Sequence, residues 1–547
     1  MPDSIYAKTI LLVEDQEKFY TPVMRWLQEE GYQVTLSKSY SAARCFLNEG
    51  HFHLAIVDIR LVEKDEQDRQ GLQLAADIQN MDLKGIMPCI LLTAHATKEN
   101  VIAAWLEHGV ARLIEKKPGY RKKLLDVVQA LFEDEIKINF DLNYDAGTDQ
   151  LVVDIARDIN WSLSKPQFDL LTEQVRDLFG KLFAEAKSVF ISKLKPGLTG
   201  AAVVRVHPTW EHGLGPAYVA KVGRRDKVEK ESKRYKEYVE KLLPNDKVTQ
   251  VDIAYTRHLG MLLYRFAEGD TGPLSEFDQF YQHSQPEAII ASLHNLFQNT
   301  CRYWYDHTER KMENLPQLYY RAFELDESKL VNRIQSLLPG FMPDAETFRF
   351  NPNSPELTNP LAWLAKYQQD CVLPVYQCIT HGDLTGRNIM VSNRGRCWLI
   401  DFYRTYPSHI LRDFVILESD IKYRLLPMTA WPDFLAFEKR LVQSVQTTIP
   451  LDFLETLPVE LQKAGQVIMA LRDIAYKFSR GRVPNHRHTL KEYLISLLMT
   501  TLNVARLRHI PADRKLQAML SAVLICNQLD TLAGRIPDWS SADEILF

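Results

Sequence analysis

The stretch Thr380-His381-Gly382-Asp383-Leu384-Thr385-Gly386-Arg387-Asn388, followed by Trp398-Leu399-Ile400-Asp401-Phe402, decides how the chain is read. Asp383 and Asn388 lie five positions apart, and Asp401 lies eighteen beyond Asp383. A short loop thus supplies one carboxylate and one amide, and a returning hairpin supplies a second carboxylate. Transfer of a phosphoryl group to a hydroxyl needs a carboxylate at the attacking oxygen and oxygen ligands for Mg²⁺. On this reading Asp383 accepts the hydroxyl proton or orients the attacking oxygen. Asn388 and Asp401 hold Mg²⁺ against the phosphates of ATP. His381 braces the loop through hydrogen bonds, and Arg404 and Asp413 have structural roles nearby.

The residues upstream agree with that chemistry. Residues 188–194 read as a strand running into Lys195-Pro196-Gly197-Leu198-Thr199-Gly200-Ala201, and 202–207 as a second strand. A turn with Gly213 and Gly215 leads back into a third strand, 217–222. Gly197 and Gly200 permit a tight turn whose amides can approach phosphates closely. Lys221 follows Gly200 by twenty-one residues, on the third strand. The order of glycine turn, strand, hairpin and strand lysine assigns Gly197, Gly200 and Lys221 to nucleotide binding. Residues 228–243 read as a charged helix, mostly a solvated face. One inward glutamate there would orient Lys221, with Glu231 the first choice and Glu229 the second. Residues 260–266 read as an apolar strand leading to Glu268-Gly269-Asp270, whose backbone would line an adenine pocket. Beyond about residue 442 the chain reads as helical, with apolar positions at helical spacing in 490–506 and 515–529.

The strings HGDLTGRN and IDF resemble the HGDxxxxN loop and metal-binding strand of the aminoglycoside phosphotransferase and choline kinase group, within the protein-kinase-like fold. The string Asp401-Phe402-Tyr403-Arg404-Thr405, with Leu411-Arg412-Asp413-Phe414 and Leu417-Glu418 beyond, is similar to a subgroup of bacterial regulatory phosphotransferase-like domains. The resemblance covers about residues 183–530. It departs at Thr385, often His or Asn in relatives. Only eleven residues separate Asp401 from Asp413, with no Ala-Pro-Glu motif. That leaves little platform for docking a peptide and favours a small-molecule or unusual substrate.

The first third of the chain reads quite differently. Residues 8–13, 32–36, 54–57, 88–92 and 111–114 are apolar strand signals separated by helical segments, the pattern of a parallel doubly wound sheet. Ligands of such sheets sit at the carboxyl ends of the strands. Glu14, Asp15, Asp58, Thr93 and Lys117 all fall at such ends. Glu14, Asp15 and Asp58 form an acidic pocket suited to Mg²⁺, with Asp15 and Asp58 as metal ligands. Asp58 is then the phosphoacceptor, Lys117 pairs with the acyl phosphate, and Thr93 hydrogen-bonds to it. A cis bond before Pro118 would aim Lys117. These residues resemble the receiver domain of two-component response regulators over about residues 6–134. The loop 60–70 departs in being long, charged and without the usual proline before Gly71. Ile114 stands where the family often carries an aromatic switch residue.

The expected architecture is therefore multidomain. An α/β doubly wound (flavodoxin-like) receiver spans 1–134, and a connector spans 135–182. An α+β two-lobed protein-kinase-like domain follows, with an N-lobe at 183–268 and a C-lobe at 269–536 that contains a helical substrate region. Residues 537–547 form a tail. In the connector, 138–142 and 151–155 read as strands about the turn Tyr144-Asp145-Ala146-Gly147. Residues 168–183 read as a packed linker helix with Leu170, Leu171, Val175, Leu178, Phe179 and Leu182 on one face.

Composition narrows the function. The 547 residues are 46% hydrophobic and 25% charged, as in ordinary soluble proteins. A net charge of −4, a pI near 6.5 and the lack of a basic recognition helix disfavour a nucleic-acid partner and a DNA-binding output. Seven scattered cysteines without a CxxC pair fit a reducing cytoplasm and no structural zinc. No signal peptide and no run of about 18 apolar residues are read, so no membrane span and a cytoplasmic location are expected. The expected partners are a sensor histidine kinase as phosphoryl donor and an unknown small-molecule or protein substrate; a dimer through the receiver is compatible. The function expected is a response regulator with an ATP- and Mg²⁺-dependent phosphotransferase output. The alternative is a signalling scaffold whose kinase-like domain binds nucleotide and a partner but transfers nothing.

Overall fold

Short runs of Ile, Leu and Val with no polar alternation build the central strands of the first sheet, as strands covered on both faces must be. The computed structural model describes residues 6–62, 68–83, 86–94, 110–145, 149–159, 165–193, 200–243, 249–265, 275–351, 353–443, 450–480 and 486–536. The chain divides into two units, Met1–Lys230 with Thr249–Arg265, and Glu231–Val248 with Phe266–Phe547.

In the first unit, strands and helices alternate: β1 (Thr9–Val13), α1 (Glu17–Glu29), β2 (Gln33–Ser37), α2 (Tyr40–Glu49), β3 (Leu54–Val57), α3 (Gln70–Ile78), β4 (Cys89–Thr93), β5 (Arg112–Glu115) and α4 (Tyr120–Leu131). The five strands are parallel, in the order β2-β1-β3-β4-β5. This is the doubly wound, flavodoxin-like arrangement. Strand alternation divides the core. Leu11, Val13, Ala55, Val57 and Leu91 pack with residues of α2 and α3, and Ile10, Leu12, Ile56, Ile90 and Leu92 with those of α1 and α4.

The missing proline before Gly71 is replaced by a carboxylate. Asp68 accepts the N–H groups of Leu61 and Val62 on one oxygen and that of Gln70 on the other. It thereby fixes the described ends of the loop between β3 and α3. Gly71 is required by close approach, because a Cβ there would overlap the carbonyl of Asp58. Two expectations are corrected. The Lys117–Pro118 bond is trans, as are all described peptide bonds. Residues 151–155 are not a strand but part of the helix α5 (Asp149–Ile159), because Val152, Ile155, Ala156 and Ile159 bury one helical stripe. Residues 138–142 are not a strand either, since only β6 (Asn143–Tyr144) pairs. Ala146 and Gly147 lie outside the described residues.

The linker helix is α6 (Lys165–Leu182). It packs with α5 on a second sheet made of β6, β7 (Ser188–Lys193), β8 (Ala202–Trp210), β9 (Gly213–Leu214), β10 (Tyr218–Arg224), β11 (Thr249–Tyr255) and β12 (Leu259–Arg265). The order is β11-β12-β10-β8-β7-β6, with β9 against β8. The helix α7 (Arg225–Arg234) follows β10.

The second unit is mainly helical. Its polar loops are held by two small sheets. One pairs Glu309–Asn314, Val372–Thr380 and Tyr406–His409; the other pairs Ser275–Glu276, Ile389–Val391 and Cys397–Leu399. The helices Arg412–Asp420, Val459–Arg480, His486–Arg506 and Ala512–Ala533 supply much of its core. Contrary to expectation, Ala512–Ala533 is long and apolar enough to cross a membrane; 67% of that apolar window is buried inside the structure, as in a core helix. The expected tail 537–547 lies outside the described residues.

Replacing Gly71 by Ala forces backbone apart, with no flexible side chain to absorb the overlap. Gly71→Ala is expected to destabilise the five-stranded domain by about 1–3 kcal/mol, read by denaturant unfolding of the full chain.

Candidate functional site

Two sites emerge, one in each unit. In the first, backbone hydrogen bonds set the acidic residues at the strand ends. The N–H of Glu14 reaches Ser37 O at 3.0 Å, and that of Asp58 reaches Val13 O at 2.9 Å. Glu14, Asp58 and Thr93 are buried, and Asp15 is half-buried. Burial raises the Glu14 carboxyl to about 7; Lys116 opposes the shift and Asp58 adds to it. One oxygen of Asp58 is buried without a hydrogen-bond partner.

The lysine of this pocket differs from the one expected. Lys116 Nζ lies 2.5 Å from Glu14 Oε2 and 2.6 Å from Asp58 Oδ2, with its side chain 1% exposed. Lys117 is 71% exposed and pairs with Glu115. Strand geometry gives the reason. The Lys116 N–H extends the β4–β5 ladder to Thr93 O, so Lys116 shares a face with buried Ile114. The Lys117 N–H then turns back to Glu115 O, directing its side chain away.

In the second unit one carboxylate holds the start of the stretch 380–388. Asp413 accepts the N–H of His381 and that of Gly382, each at 2.7 Å, and the hydroxyl of Tyr305 at 2.8 Å. His381 is fully buried and its Nε2 donates to Ile400 O at 2.9 Å, tying the loop to the Asp401 strand. Gly382 has φ +79°, and a Cβ there would overlap Arg404 O and crowd the Arg412 guanidinium. Arg412 in turn donates to Gly382 O at 2.9 Å. Asn388 Nδ2 donates to Asp383 O at 2.7 Å and lies 3.5 Å from its Oδ2. Asp401 is left-handed, φ 68°, which turns the chain sharply after the strand Cys397–Leu399. Burial first, and then the negative charge of Asp401, raise the Asp383 carboxyl above its ordinary value, against Arg404, His381 and Arg412. Asp383, Asn388 and Asp401 are thus brought together.

Of the residues assigned to nucleotide binding, Gly197 lies outside the described residues, as do Glu268-Gly269-Asp270. Gly200 is left-handed, φ +72°. Lys221, in the first unit, is buried on β10 opposite Val203 and Leu262. Glu231, in the second unit, is buried, while Glu229 pairs with Arg225. The residues after Glu231 join the Asp401 turn. Tyr235 packs on Phe402 at 5.6 Å between ring centroids, and Arg234 donates to Tyr403 O.

Sequence reasoning missed Lys116, Tyr305 and Arg412 as parts of these sites. The sequence reading takes Lys117, beside Pro118, and does not weigh Lys116. Tyr305 had no motif around it. Arg404 was expected to be structural and is, donating to Ala322 O at 3.1 Å.

The two lysines separate by stability. Lys116→Met leaves buried carboxylates without their cation and is expected to cost about 3–5 kcal/mol. Lys117→Met removes an exposed pair and is expected to cost less than about 1 kcal/mol. Urea unfolding of the two variants checks this, and equal costs would refute the placement.

Two families match different stretches of the chain. The response regulator receiver domain family matches residues 10–129. Among solved structures, a CheY-like receiver domain protein from Methanospirillum hungatei JF-1 is 25% identical, with a TM-score of 0.21, over 24% of this chain and 98% of that one. The Thermotoga maritima response regulator TrrA, in complex with Mg²⁺ and BeF, is 26% identical, with a TM-score of 0.20, over 23% and 98%. The receiver domain of a signal transduction histidine kinase from Syntrophus aciditrophicus is 30% identical, with a TM-score of 0.21, over 23% and 91%. No curated protein matches the chain. The family described as ternary complex associated domain 9 matches residues 186–337 and 343–503. Matched over more than half its length, the chain belongs to the ternary complex associated domain 9 family, and its amino-terminal part is a response regulator receiver domain.

Proposed function

We propose that this protein is a response regulator whose output is an ATP- and Mg²⁺-dependent phosphotransferase of the aminoglycoside phosphotransferase and choline kinase type. The observation that carries the reading is the convergence of Asp383, Asn388 and Asp401 on a loop braced by His381 and Asp413. The Asp401 carboxylate, close enough to raise the proton affinity of Asp383, would with the Asn388 amide suit a hard divalent cation, Mg²⁺. Asn388 and Asp401 would hold that Mg²⁺, which would neutralise the charge of the ATP phosphates. Asp383 has the raised affinity that a proton acceptor for a substrate hydroxyl needs. Gly197, Gly200, Lys221 and Glu231 remain the proposed nucleotide contacts.

The receiver pocket supports control by phosphorylation. Asp58 has one oxygen paired with Lys116 and one without a hydrogen-bond partner. That second oxygen, near the Glu14 carboxyl and with Asp15 following it in the chain, would suit a hard cation. Mg²⁺ held by Asp15 and Asp58 would offset their repulsion. A sensor histidine kinase would then supply the phosphoryl group to Asp58, with Lys116 as counter-ion to the acyl phosphate and Thr93 as a hydrogen-bond donor.

The description of the family as associated with a ternary complex favours one second reading. In it, the second unit binds nucleotide and assembles with partners without transferring phosphate.

The two readings differ in turnover. Full-length protein with ATP, Mg²⁺ and candidate hydroxyl substrates is expected to hydrolyse or transfer the γ-phosphate. Asp383→Asn is expected to lower that rate by about 10²–10⁴-fold while nucleotide still binds. Binding with no turnover in either protein would favour the assembly reading. Acetyl phosphate with Mg²⁺ is expected to label Asp58, and Asp58→Asn to abolish the label, as read by mass spectrometry of peptides.

A further inference from the structure

The receiver carries a second buried polar centre, at the amino ends of its strands and so at the other end of the sheet from Asp58. Tyr6 precedes β1, His51 and His53 precede β3, and Asp177 comes from the linker helix α6. Asp177 and His53 are almost fully buried. His51 Nε2 lies 2.6 Å from Asp177 Oδ2, and His53 Nε2 lies 3.1 Å from Asp177 Oδ1. The Tyr6 hydroxyl donates to the same Oδ1. One carboxylate and two imidazole nitrogens thus converge within 4.8 Å.

A buried carboxylate is ordinarily paired with a cationic side chain or bound to a metal. Among the described residues, the groups that pair with Asp177 are the two histidines, not a lysine or an arginine. Lys181, one turn along α6, donates instead to Tyr255 O at 2.9 Å. Arg176 sits over the Tyr6 ring, 6.0 Å from its centroid. Imidazole nitrogen together with carboxylate oxygen is a donor set that Zn²⁺ accepts and Mg²⁺ does not favour.

A ligating histidine presents a lone pair to the metal, and its other ring nitrogen donates to an outer acceptor that fixes the tautomer. His53 has such an acceptor. Thr9 reaches its Nδ1 with two groups, the hydroxyl oxygen at 2.8 Å and the N–H at 3.0 Å. The hydroxyl gives its own proton to His51 O at 2.9 Å, so toward Nδ1 its oxygen is an acceptor. With the Nδ1 proton on that nearer oxygen, Nε2 is free to face the Asp177 carboxylate as a ligand.

We propose that His51 Nε2, His53 Nε2 and the Asp177 carboxylate bind one divalent transition metal, Zn²⁺ by the donor set, and that this metal fastens the receiver to α6. The Tyr6 hydroxyl, bonded to the carboxylate, and the Thr9 hydroxyl, bonded to His53, are its outer partners. Bonds of about 2.0–2.2 Å to a tetrahedral Zn²⁺ hold neighbouring ligand atoms about 3.3 Å apart. The Asp177 contacts to the two imidazoles, at 2.6 and 3.1 Å, need open only slightly to meet that spacing. The fourth position is left to water. No cysteine takes part, so the cysteine spacing carries no sign of the site.

The placement gives the metal a mechanical role. The helix α6 also grips the second sheet, since Gln174, one turn before Asp177, accepts the Thr256 hydroxyl at 2.9 Å and the His258 N–H at 3.0 Å. Arg257, in the same β11–β12 turn, donates to Leu47 O at the end of α2. A metal on Asp177 would hold the base of the receiver strands to the helix that grips the second sheet, and leave the Asp58 end free to respond to phosphorylation.

The competing arrangement of the same atoms is a metal-free ion pair between a protonated His53 and Asp177. The two are separated by titrating chelator-stripped full-length protein with Zn²⁺ in a calorimeter, with Mg²⁺ present throughout. Binding of one Zn²⁺ per chain is expected. His51→Gln and Asp177→Asn should each weaken it by more than about 100-fold, the upper end of what loss of an outer partner costs, and Thr9→Val by about 10–100-fold. Circular dichroism of each variant checks that it is folded. X-ray absorption of the Zn²⁺-loaded wild-type protein needs no variant and should show imidazole and oxygen ligands without sulfur. No Zn²⁺ binding by the wild-type protein, binding that the folded variants leave unchanged, or sulfur at the metal would overturn the proposal.

Discussion

The carboxylate of Asp413 is the constraint on which the second unit's polar loop depends. It takes the N–H of His381, the N–H of Gly382 and the hydroxyl of Tyr305, in a setting where water cannot replace them. Hydrogen bonds to an ionised acceptor are about twice as strong as neutral ones. Each buried N–H left without a partner costs about 1–3 kcal/mol. Asp413 also sits in the first turn of the helix Arg412–Asp420, where the helix dipole favours a negative charge. Asp413 fixes the backbone that immediately precedes Asp383.

That helix is itself positioned by charge. All of its residues are buried. Glu418 is held by both ends of the Arg472 guanidinium, at 2.8 and 2.6 Å, and by the Tyr493 hydroxyl at 2.6 Å. Lys422, one turn on, pairs with Glu438 at 2.5 Å. Asp420 accepts the Gly386 N–H at 2.8 Å, so the far end of the helix holds the far end of the same loop. Removing one partner of such a buried pair costs about 3–5 kcal/mol. Apolar packing tolerates sliding, whereas these pairs have one register. A loop that must hold two carboxylates near each other gains from that rigidity.

Much of the receiver was legible because its central strands are short, mostly apolar and lead to Glu14, Asp58 and Thr93. The loop 380–388 was legible because its residues are close in sequence. What could not be read is set by distance along the chain or by one-residue register. Lys116 and Lys117 differ only in which face of the strand end they leave from. A helix at 149–159 stands where a strand at 151–155 is expected, since a short run of Leu, Val and Ile satisfies both periods. On α6 the apolar stripe was visible, but the buried stripe of Gln174, Asp177 and Lys181 was not. Its partners, His51, His53 and Thr256, lie far away in sequence. Tyr305 and Arg412 were missed for the same reason.

The proposal that Asp401 and Asn388 hold Mg²⁺-bound nucleotide is tested most directly by equilibrium binding of a non-hydrolysable ATP analogue to the full chain. Binding should be one per chain, should require Mg²⁺, and should be lost in Asp401→Ala with thermal unfolding unchanged. No binding to the folded wild-type protein, or binding indifferent to both Mg²⁺ and Asp401, would contradict it.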